Sequence, residues 1–83
     1  MILVTGGTGL VGSHLLYHLS IKNDNIRAIY RTKSSLEKVK KVFSYYTSDT
    51  TLFSKIEWFK ADITNVPEMI SAFIGVKHLY HCA

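Results

Sequence analysis

The sequence has almost no cysteine and no long apolar run, and both absences narrow the class of protein. Cys82 is the only cysteine among 83 residues, which excludes a disulfide-stapled secreted scaffold. No stretch approaches the ~20 apolar residues that a membrane-spanning helix needs. The N-terminus has no basic region followed by an apolar one, so a signal peptide is not expected. Together these absences predict a cytoplasmic protein with no membrane partner.

Positive charge is concentrated in one segment of the chain. Residues 22–41 hold seven Lys and Arg side chains against two acidic ones, whereas residues 42–83 carry a small excess of acidic side chains. A local basic patch attracts a phosphate or another polyanion. The sequence has no zinc-finger spacing and no basic heptads, and its aromatic residues are not interleaved with the basic ones. A nucleic-acid partner is therefore not expected.

Glycine is clustered, with four of the five glycines between positions 6 and 12. The apolar run at residues 1–5 before them is typical of a buried strand. Apolar residues recur at helical spacing after them, and Val11, Leu15 and Leu19 fall on one stripe of an amphipathic helix. The pattern predicts a strand, a glycine turn and a helix. No Gly-Lys-Ser/Thr ends the turn, so a nucleoside-triphosphate P-loop is excluded.

Three of these glycines have the spacing of a pyrophosphate-binding turn. Gly6 allows a tight exit from the strand, Gly9 leaves the backbone open to a pyrophosphate, and Gly12 allows the helix to pack closely on the strand. The N–H groups of Gly9, Leu10 and Val11 are then expected to be free to bind phosphate at the positive end of the helix. The alternative is a glycine-rich turn that only joins two packed elements.

The remainder of the chain repeats the alternation of strand and helix. A capping box of Ser34 and Glu37 predicts the start of a second helix, and Asn65 with Glu68 predicts the start of a third. Residues 44–55 are polar and predict an irregular helix end or loop. The further predicted strands cover residues 26–31, 56–61 and 76–82. Alternating strands and helices favour an α/β fold with a Rossmann-type, doubly wound parallel sheet ordered 3-2-1-4.

These motifs resemble a known family along the whole chain. The sequence Thr5-Gly6-Gly7-Thr8-Gly9-Leu10-Val11-Gly12, Arg31 after the second strand, Asp62-Ile63 after the third and His81-Cys82-Ala83 at the end of the fourth are similar to the extended short-chain dehydrogenase/reductase superfamily. This superfamily is also called the NAD-dependent epimerase/dehydratase family, and its dihydroflavonol-reductase-like branch is the most similar. The resemblance implies that residues 1–83 are the N-terminal part of an NAD(P)-binding Rossmann domain, with the substrate-binding part absent.

The resemblance also implies a reaction. It predicts an oxidoreductase or epimerase/dehydratase that transfers hydride between nicotinamide and a carbonyl/hydroxyl or nucleotide-sugar-like small-molecule substrate. No Tyr is followed four residues later by Lys, so no catalytic residue is assigned and the 83 residues are expected to be inactive alone. The alternative is a non-catalytic NADP-binding sensor on the same fold. A homodimer is a further hypothesis.

Basic side chains after the second strand decide the predicted cofactor. An NAD site of this fold usually has an acidic residue there, whereas this chain has Arg31 and Lys33. Both attract a 2′-phosphate, which favours NADP over NAD. The alternative is that the two are ordinary solvated charges at a strand end.

Twelve residues form the predicted cofactor site, and no metal site is predicted. By resemblance Asp62 binds the adenine amino group beside the Ile63 backbone; the alternative is that Asp62 is a short acceptor that caps the turn before Asn65. Cys82 and Ala83 lie, by the same resemblance, on the ribose and nicotinamide side of the cleft. His14 and His18 lack the third ligand that a metal ion requires. The predicted cofactor-binding residues are Gly6, Thr8, Gly9, Leu10, Val11, Gly12, Arg31, Lys33, Asp62, Ile63, Cys82 and Ala83.

Overall fold

Strands and helices alternate along the chain in the computed structural model, which describes residues 1–82. The predicted strands are all present, each shorter by one to three residues than the sequence pattern indicated. The elements are, in chain order, β1 (Ile2–Thr5), α1 (Leu10–Lys22), β2 (Ile26–Tyr30), α2 (Lys33–Tyr46), α3 (Thr51–Ser54), β3 (Glu57–Lys60), α4 (Val66–Ala72) and β4 (His78–His81).

The four strands form one parallel sheet in the order β3-β2-β1-β4, which confirms the predicted Rossmann-type arrangement. On β1, Leu3 is in register with Arg27 of β2 and with Leu79 of β4. β3 pairs only with the outer side of β2. Because all four strands run the same way, their carboxyl ends meet at one edge of the sheet, where ligands bind in open α/β folds.

Helices cover both faces of the sheet, and consecutive residues of β1 show how the core is divided. Val4 packs with Leu16 of α1 and Phe43 of α2 in the core on one face. Leu3 points to the opposite face and packs with Ala72 of α4. The alternation of side chains along a strand therefore gives each face its own core.

The apolar stripe of α1 differs from the predicted one. Val11 is 74% exposed, whereas Leu16 is fully buried. The buried positions of α1 also include Ser13 and Ser20, whose hydroxyls donate to carbonyl oxygens of their own helix. The predicted stripe is therefore wrong at Val11, whereas Leu19 packs against the core and Leu15 is half-buried. Small polar residues can share the face that meets the sheet once their hydroxyls are satisfied, and hydrophobicity alone does not predict them.

The start of α2 corrects the predicted capping box. Thr32, not Ser34, is the N-cap residue: its backbone is extended and its hydroxyl oxygen accepts a hydrogen bond from the Ser35 N–H at 3.3 Å. The helix therefore begins at Lys33. Residues 44–55, which were expected to be irregular, include the short helix α3. The Asp49 carboxylate accepts a hydrogen bond from the N–H of Thr51, the first residue of this helix.

The start of α4 agrees with the prediction. The Asn65 side chain accepts the Glu68 N–H at 3.1 Å, and a proline lies in the first turn. Gly75, with φ of +77°, lies in the loop between α4 and β4. Within residues 1–82, no helix is both long and apolar enough to cross a membrane.

Candidate functional site

A cavity of about 470 Å³ opens at the carboxyl edge of the sheet. All four strands lead into its wall, because the turn after β1, the last residues of β2 and β4 and the loop after β3 line it. The lining residues are Gly6, Thr8, Ile29, Tyr30, Arg31, Ala61, Asp62, Ile63, Thr64, His81 and Cys82. Six of the predicted cofactor-binding residues are among them.

The glycine turn forms one end of this cavity and depends on the absence of side chains. Gly6 has φ of +70°, and a Cβ built on it would lie 1.5 Å from the Cys82 carbonyl oxygen. A Cβ on Gly12 would lie 2.1 Å from the Gly6 carbonyl oxygen. Gly12 thus allows α1 to pack directly on the glycine turn, and that turn packs against the end of β4.

The amino end of α1 supplies backbone donors beside the cavity. Its N-cap residue, Gly9, offers no side-chain cap, and the first N–H groups of any helix have no acceptor within it. The Gly9 N–H itself is not free, because it donates to the Gly6 carbonyl oxygen at 3.2 Å. This corrects the expectation that the Gly9 N–H is free to bind phosphate. The amides of Leu10 and Val11 remain as candidate donors, and the side chains of both residues are exposed.

The loop after β3 holds Asp62 by hydrogen bonds within the loop. One carboxylate oxygen, Oδ1, accepts from the Thr64 N–H at 2.9 Å and from the Thr64 hydroxyl at 2.8 Å. The hydrogen bond from the Thr64 backbone lowers the pKa of Asp62, the Thr64 hydroxyl adds to this, and nearby Arg31 lowers it slightly further. Asp62 is thus ionised at neutral pH and does cap the local turn, while Oδ2 is directed to another partner.

That partner is Arg31, which follows β2. Its Nη2 lies 3.5 Å from Asp62 Oδ2, and the Arg31 side chain is 74% exposed. The pair lies between the cavity and a second groove of about 480 Å³ lined by Arg31, Thr32, Lys60, Ala61, Asp62 and Glu68. An exposed ion pair of this kind contributes little to stability, so the guanidinium can exchange Asp62 for another anion at small cost.

The end of β4 forms the side of the cavity next to the glycine turn. The Thr5 hydroxyl and His81 Nδ1 are hydrogen-bonded at 2.5 Å, and the Cys82 N–H donates to the Thr5 carbonyl oxygen at 2.9 Å. Cys82 is half-buried and lines the cavity. The predicted residue Ala83 lies outside the described residues.

The structure therefore brings together only part of the predicted set. Gly6, Thr8, Arg31, Asp62 and Ile63 share the cavity wall with Cys82. Among the described residues, the remaining predicted ones do not line the cavity: Gly9, Leu10, Val11, Gly12 and Lys33. Lys33 is the exposed first residue of α2, while the other four form the turn and the amino end of α1.

Sequence reasoning missed several cavity residues. Tyr30 and His81 are the last residues of β2 and β4, and Ala61 directly follows β3. The signal that identifies them is position alone, because any residue at the carboxyl end of a parallel strand is close to the ligand-binding edge. Glu68 was assigned only to a helix start, although its carboxylate also accepts the Asp62 N–H.

Comparison with known proteins gives one family and one fold. The family model described as the NAD dependent epimerase/dehydratase family matches residues 2–83. Protein BRI1-5 ENHANCED 1 from Arabidopsis thaliana is 34% identical over 83 residues, which are 100% of this chain and 22% of that protein. The X-ray structure of Pen from Bacillus thuringiensis superposes with a TM-score of 0.73 at 24% identity, covering 99% of this chain and 24% of that one. The chain thus spans about a quarter of the length of either protein.

Proposed function

The chain belongs to the NAD dependent epimerase/dehydratase family, and from that premise we propose that it is the dinucleotide-binding part of an enzyme that transfers hydride to or from a small-molecule substrate. Membership of the family implies a nicotinamide dinucleotide as cofactor. When bound, the dinucleotide supplies the hydride chemistry. The residues of this chain bind and orient it.

One observation carries the proposal: the glycine turn and the segments at the carboxyl ends of the four parallel strands line a single cavity, next to which α1 begins. A dinucleotide needs a concave site with backbone donors for its pyrophosphate and polar groups for its adenine. The amides of Leu10 and Val11, beside the Gly9 N-cap, can supply the donors for the pyrophosphate. The ionised Asp62 and the adjacent Ile63 backbone can supply the polar groups for the adenine.

We assign the remaining predicted residues to roles that follow from their places. Gly6 and Gly12 hold the turn against α1 and β4, and Thr8 lines the cavity beside them. Gly9 presents an open backbone face, since a Cβ there would meet only the Gly6 carbonyl oxygen at 3.5 Å. Cys82, with Ala83 after it, is assigned to the ribose and nicotinamide side.

The direct test is equilibrium binding of NADPH and NADH to the full-length gene product, followed by fluorescence. The expected result is saturable binding that ADP competes away, because ADP carries the adenine and pyrophosphate contacts. Binding of neither dinucleotide would overturn the proposal. Binding without turnover of any carbonyl, hydroxyl or nucleotide-sugar substrate would favour the alternative, a non-catalytic sensor.

NADP is the proposed cofactor rather than NAD, and Arg31 is the proposed determinant. The structure has no acidic residue directly after β2, and the Arg31 guanidinium is exposed beside the cavity with only a weak ion pair to Asp62. A 2′-phosphate can replace Asp62 as its partner through two parallel hydrogen bonds. Lys33, at the start of α2, adds positive charge nearby.

We expect Arg31→Ala to lower the ratio of NADPH affinity to NADH affinity by about tenfold, the equivalent of one charge-assisted hydrogen bond. Lys22→Ala is the matched control, because it removes a cation from the last turn of α1, at the opposite end of that helix from the cavity. A ratio that changes equally in both variants would show that only the overall charge matters, and would contradict the assignment of Arg31.

The finer properties of the whole protein are proposals of the same kind. The missing Tyr-x-x-x-Lys leads us to place the proton-transfer groups and the substrate contacts in a part of the protein outside these 83 residues. We also propose a cytoplasmic location, on the ground that the chain has a single cysteine. A homodimer is a proposal of the same kind, and sedimentation velocity of the full-length gene product would test it.

A further inference from the structure

Asp62 is the centre of the hydrogen bonds that hold the loop between β3 and α4, residues 61–65. The Asn65 N–H donates to the Asp62 carbonyl oxygen at 2.9 Å, and Thr64 donates twice to the Asp62 carboxylate. The Asp62 N–H donates to Glu68 Oε1 at 3.0 Å. The backbone donor, the carbonyl and the carboxylate of Asp62 are therefore all engaged, which fixes both its main chain and its side chain.

Glu68 has an unusual partner for a glutamate in the first turn of a helix. In a capping box, this side chain reaches back to the N–H of the N-cap residue. Here the N-cap residue, Asn65, gives its N–H to the Asp62 carbonyl instead, and the Glu68 carboxylate extends past the cap to the first residue after β3. Glu68 thus ties the start of α4 to the carboxyl edge of the sheet.

Glu68 does not line the main cavity. It lies in the second groove, on the other side of Asp62, whereas Asp62 and Ile63 line the cavity itself. The hydrogen bond of the Glu68 carboxylate therefore reaches the cavity through Asp62, while the Glu68 side chain itself does not line the cavity. A charge-assisted hydrogen bond is about twice as strong as a neutral one, so it is well suited to hold a loop whose other donors are exposed.

We propose that Glu68 is the positioning residue of the adenine end of the site: its carboxylate holds the Asp62 N–H and so presents the Asp62 carboxylate and the Ile63 backbone to the adenine ring. This inference rests on the proposed dinucleotide site. It extends that proposal because it attributes the fixed conformation of the adenine-binding loop to a residue of α4 that does not contact the ligand.

The test compares how two halves of the cofactor bind to the full-length gene product. The ligands are ADP, which carries the adenine, and nicotinamide mononucleotide, which does not, both measured by NMR titration. We expect Glu68→Ala to weaken ADP binding by about fivefold or more, as for loss of one charge-assisted hydrogen bond, and to leave nicotinamide mononucleotide binding unchanged. Glu68→Gln keeps an oxygen acceptor for the Asp62 N–H and should restore most of the ADP affinity.

Glu37→Ala is the matched control, since Glu37 is an exposed glutamate on the first half of α2 and makes no hydrogen bond to the β3–α4 loop. Unchanged ADP affinity in Glu68→Ala would overturn the inference, as would equal weakening of both ligands, because that would indicate a general loss of structure. A Glu68→Gln variant as weak as Glu68→Ala would show that charge, not the hydrogen bond, matters.

Hydrogen exchange tests the same inference without a variant. In the wild-type protein, the Asp62 amide should exchange at least about tenfold more slowly than an unprotected loop amide, because opening the Glu68 hydrogen bond must precede exchange. Unprotected exchange at Asp62 would overturn the positioning role even where Glu68→Ala does not fold. Failure of the wild-type protein to bind ADP or NAD(P)H at all would instead overturn the dinucleotide site, and this role with it.

Discussion

The absence of a side chain at Gly6 determines how closely the first turn and the last strand approach. The turn has to reverse direction within a few residues of β1, and it does so with φ of +70° at Gly6. The same residue lies against the Cys82 backbone, where a Cβ would overlap the carbonyl oxygen. Gly6 is therefore required twice, for its backbone conformation and for space.

Gly6→Ala is expected to destabilise the protein by about 3 kcal/mol or more, because overlap with main-chain atoms adds to the backbone strain. Gly75→Ala is the matched control: Gly75 also has a positive φ, of +77°, but a Cβ there would meet nothing within 4 Å. That variant should lose only about 1 kcal/mol, the cost of the left-handed conformation. Urea denaturation of both variants in the full-length gene product measures the difference, and equal losses would contradict the role of space at Gly6.

Single residues also mark the limit of what the sequence predicts at the site. Glycine spacing predicted the turn correctly, because the need for space and for positive φ is specific to glycine. It did not predict that the Gly9 N–H is used within the turn, since a hydrogen bond between two backbone groups leaves no trace in the side chains. Glu68 shows the same limit, because its place in the first turn does not tell which backbone N–H its carboxylate accepts from.

Arg27 connects two elements of the fold at the edge of the sheet opposite the cavity. It lies on β2, with a side chain only 12% exposed, and its Nη1 donates to the carbonyl oxygens of Ala72 at 2.6 Å and Ile74 at 2.8 Å. Its Nε donates to Glu57 at 3.0 Å. The Ala72 carbonyl ends α4 and the Ile74 carbonyl lies just after it. A positive charge is favourable there because the last carbonyls of a helix have no partner within it.

Replacing this arginine tests how strongly the end of α4 depends on β2. Arg27→Met keeps a long apolar side chain but leaves two carbonyls and Glu57 without their donor, so we expect a loss of about 2 kcal/mol in the free energy of unfolding. Lys55→Met removes a more exposed ion pair, between Lys55 and Asp24 at 3.1 Å, and should cost less than about 1 kcal/mol. A loss no larger for Arg27→Met than for Lys55→Met in urea denaturation would contradict the connection.

At the scale of elements, the order of strands and helices followed from the sequence, and their exact limits did not. The alternation of apolar runs with helix starts predicts a parallel sheet, because right-handed crossovers and short connections allow few strand orders. The start of α2 was displaced by two residues, since Thr32, Ser34 and Ser35 can all cap a helix. The helix α3 was missed because one turn of helix has no apolar period to detect.

At the scale of the whole molecule, the two faces of the sheet are covered unequally. Three helices, α1, α2 and α3, lie over one core, whereas the seven residues of α4 are the cover of the other within residues 1–82. Several large apolar side chains on α4 and the segment after it remain exposed, namely Val66, Ile70, Phe73 and Ile74. β4 is an edge strand with all four residues exposed. Apolar surface of this kind favours contact with another surface.

The 83-residue chain, expressed on its own, is therefore expected to associate through β4. Leu79 is 49% exposed on this strand, so Leu79→Lys should shift the chain towards monomer, because a lysine on an edge strand opposes pairing with another strand. Ile21→Lys is the matched control, since Ile21 is equally exposed but lies in the last turn of α1.

Sedimentation velocity over a hundredfold range of concentration distinguishes the outcomes. The wild-type chain and Ile21→Lys should sediment faster as concentration rises, while Leu79→Lys should stay close to the 9.4 kDa of one chain. The physical reason is specific to the edge, because unpaired strand groups and Leu79 are buried together when a second strand adds to β4. A wild-type chain that stays monomeric at every concentration and melts in one sharp transition would show that β4 is stable as a bare edge.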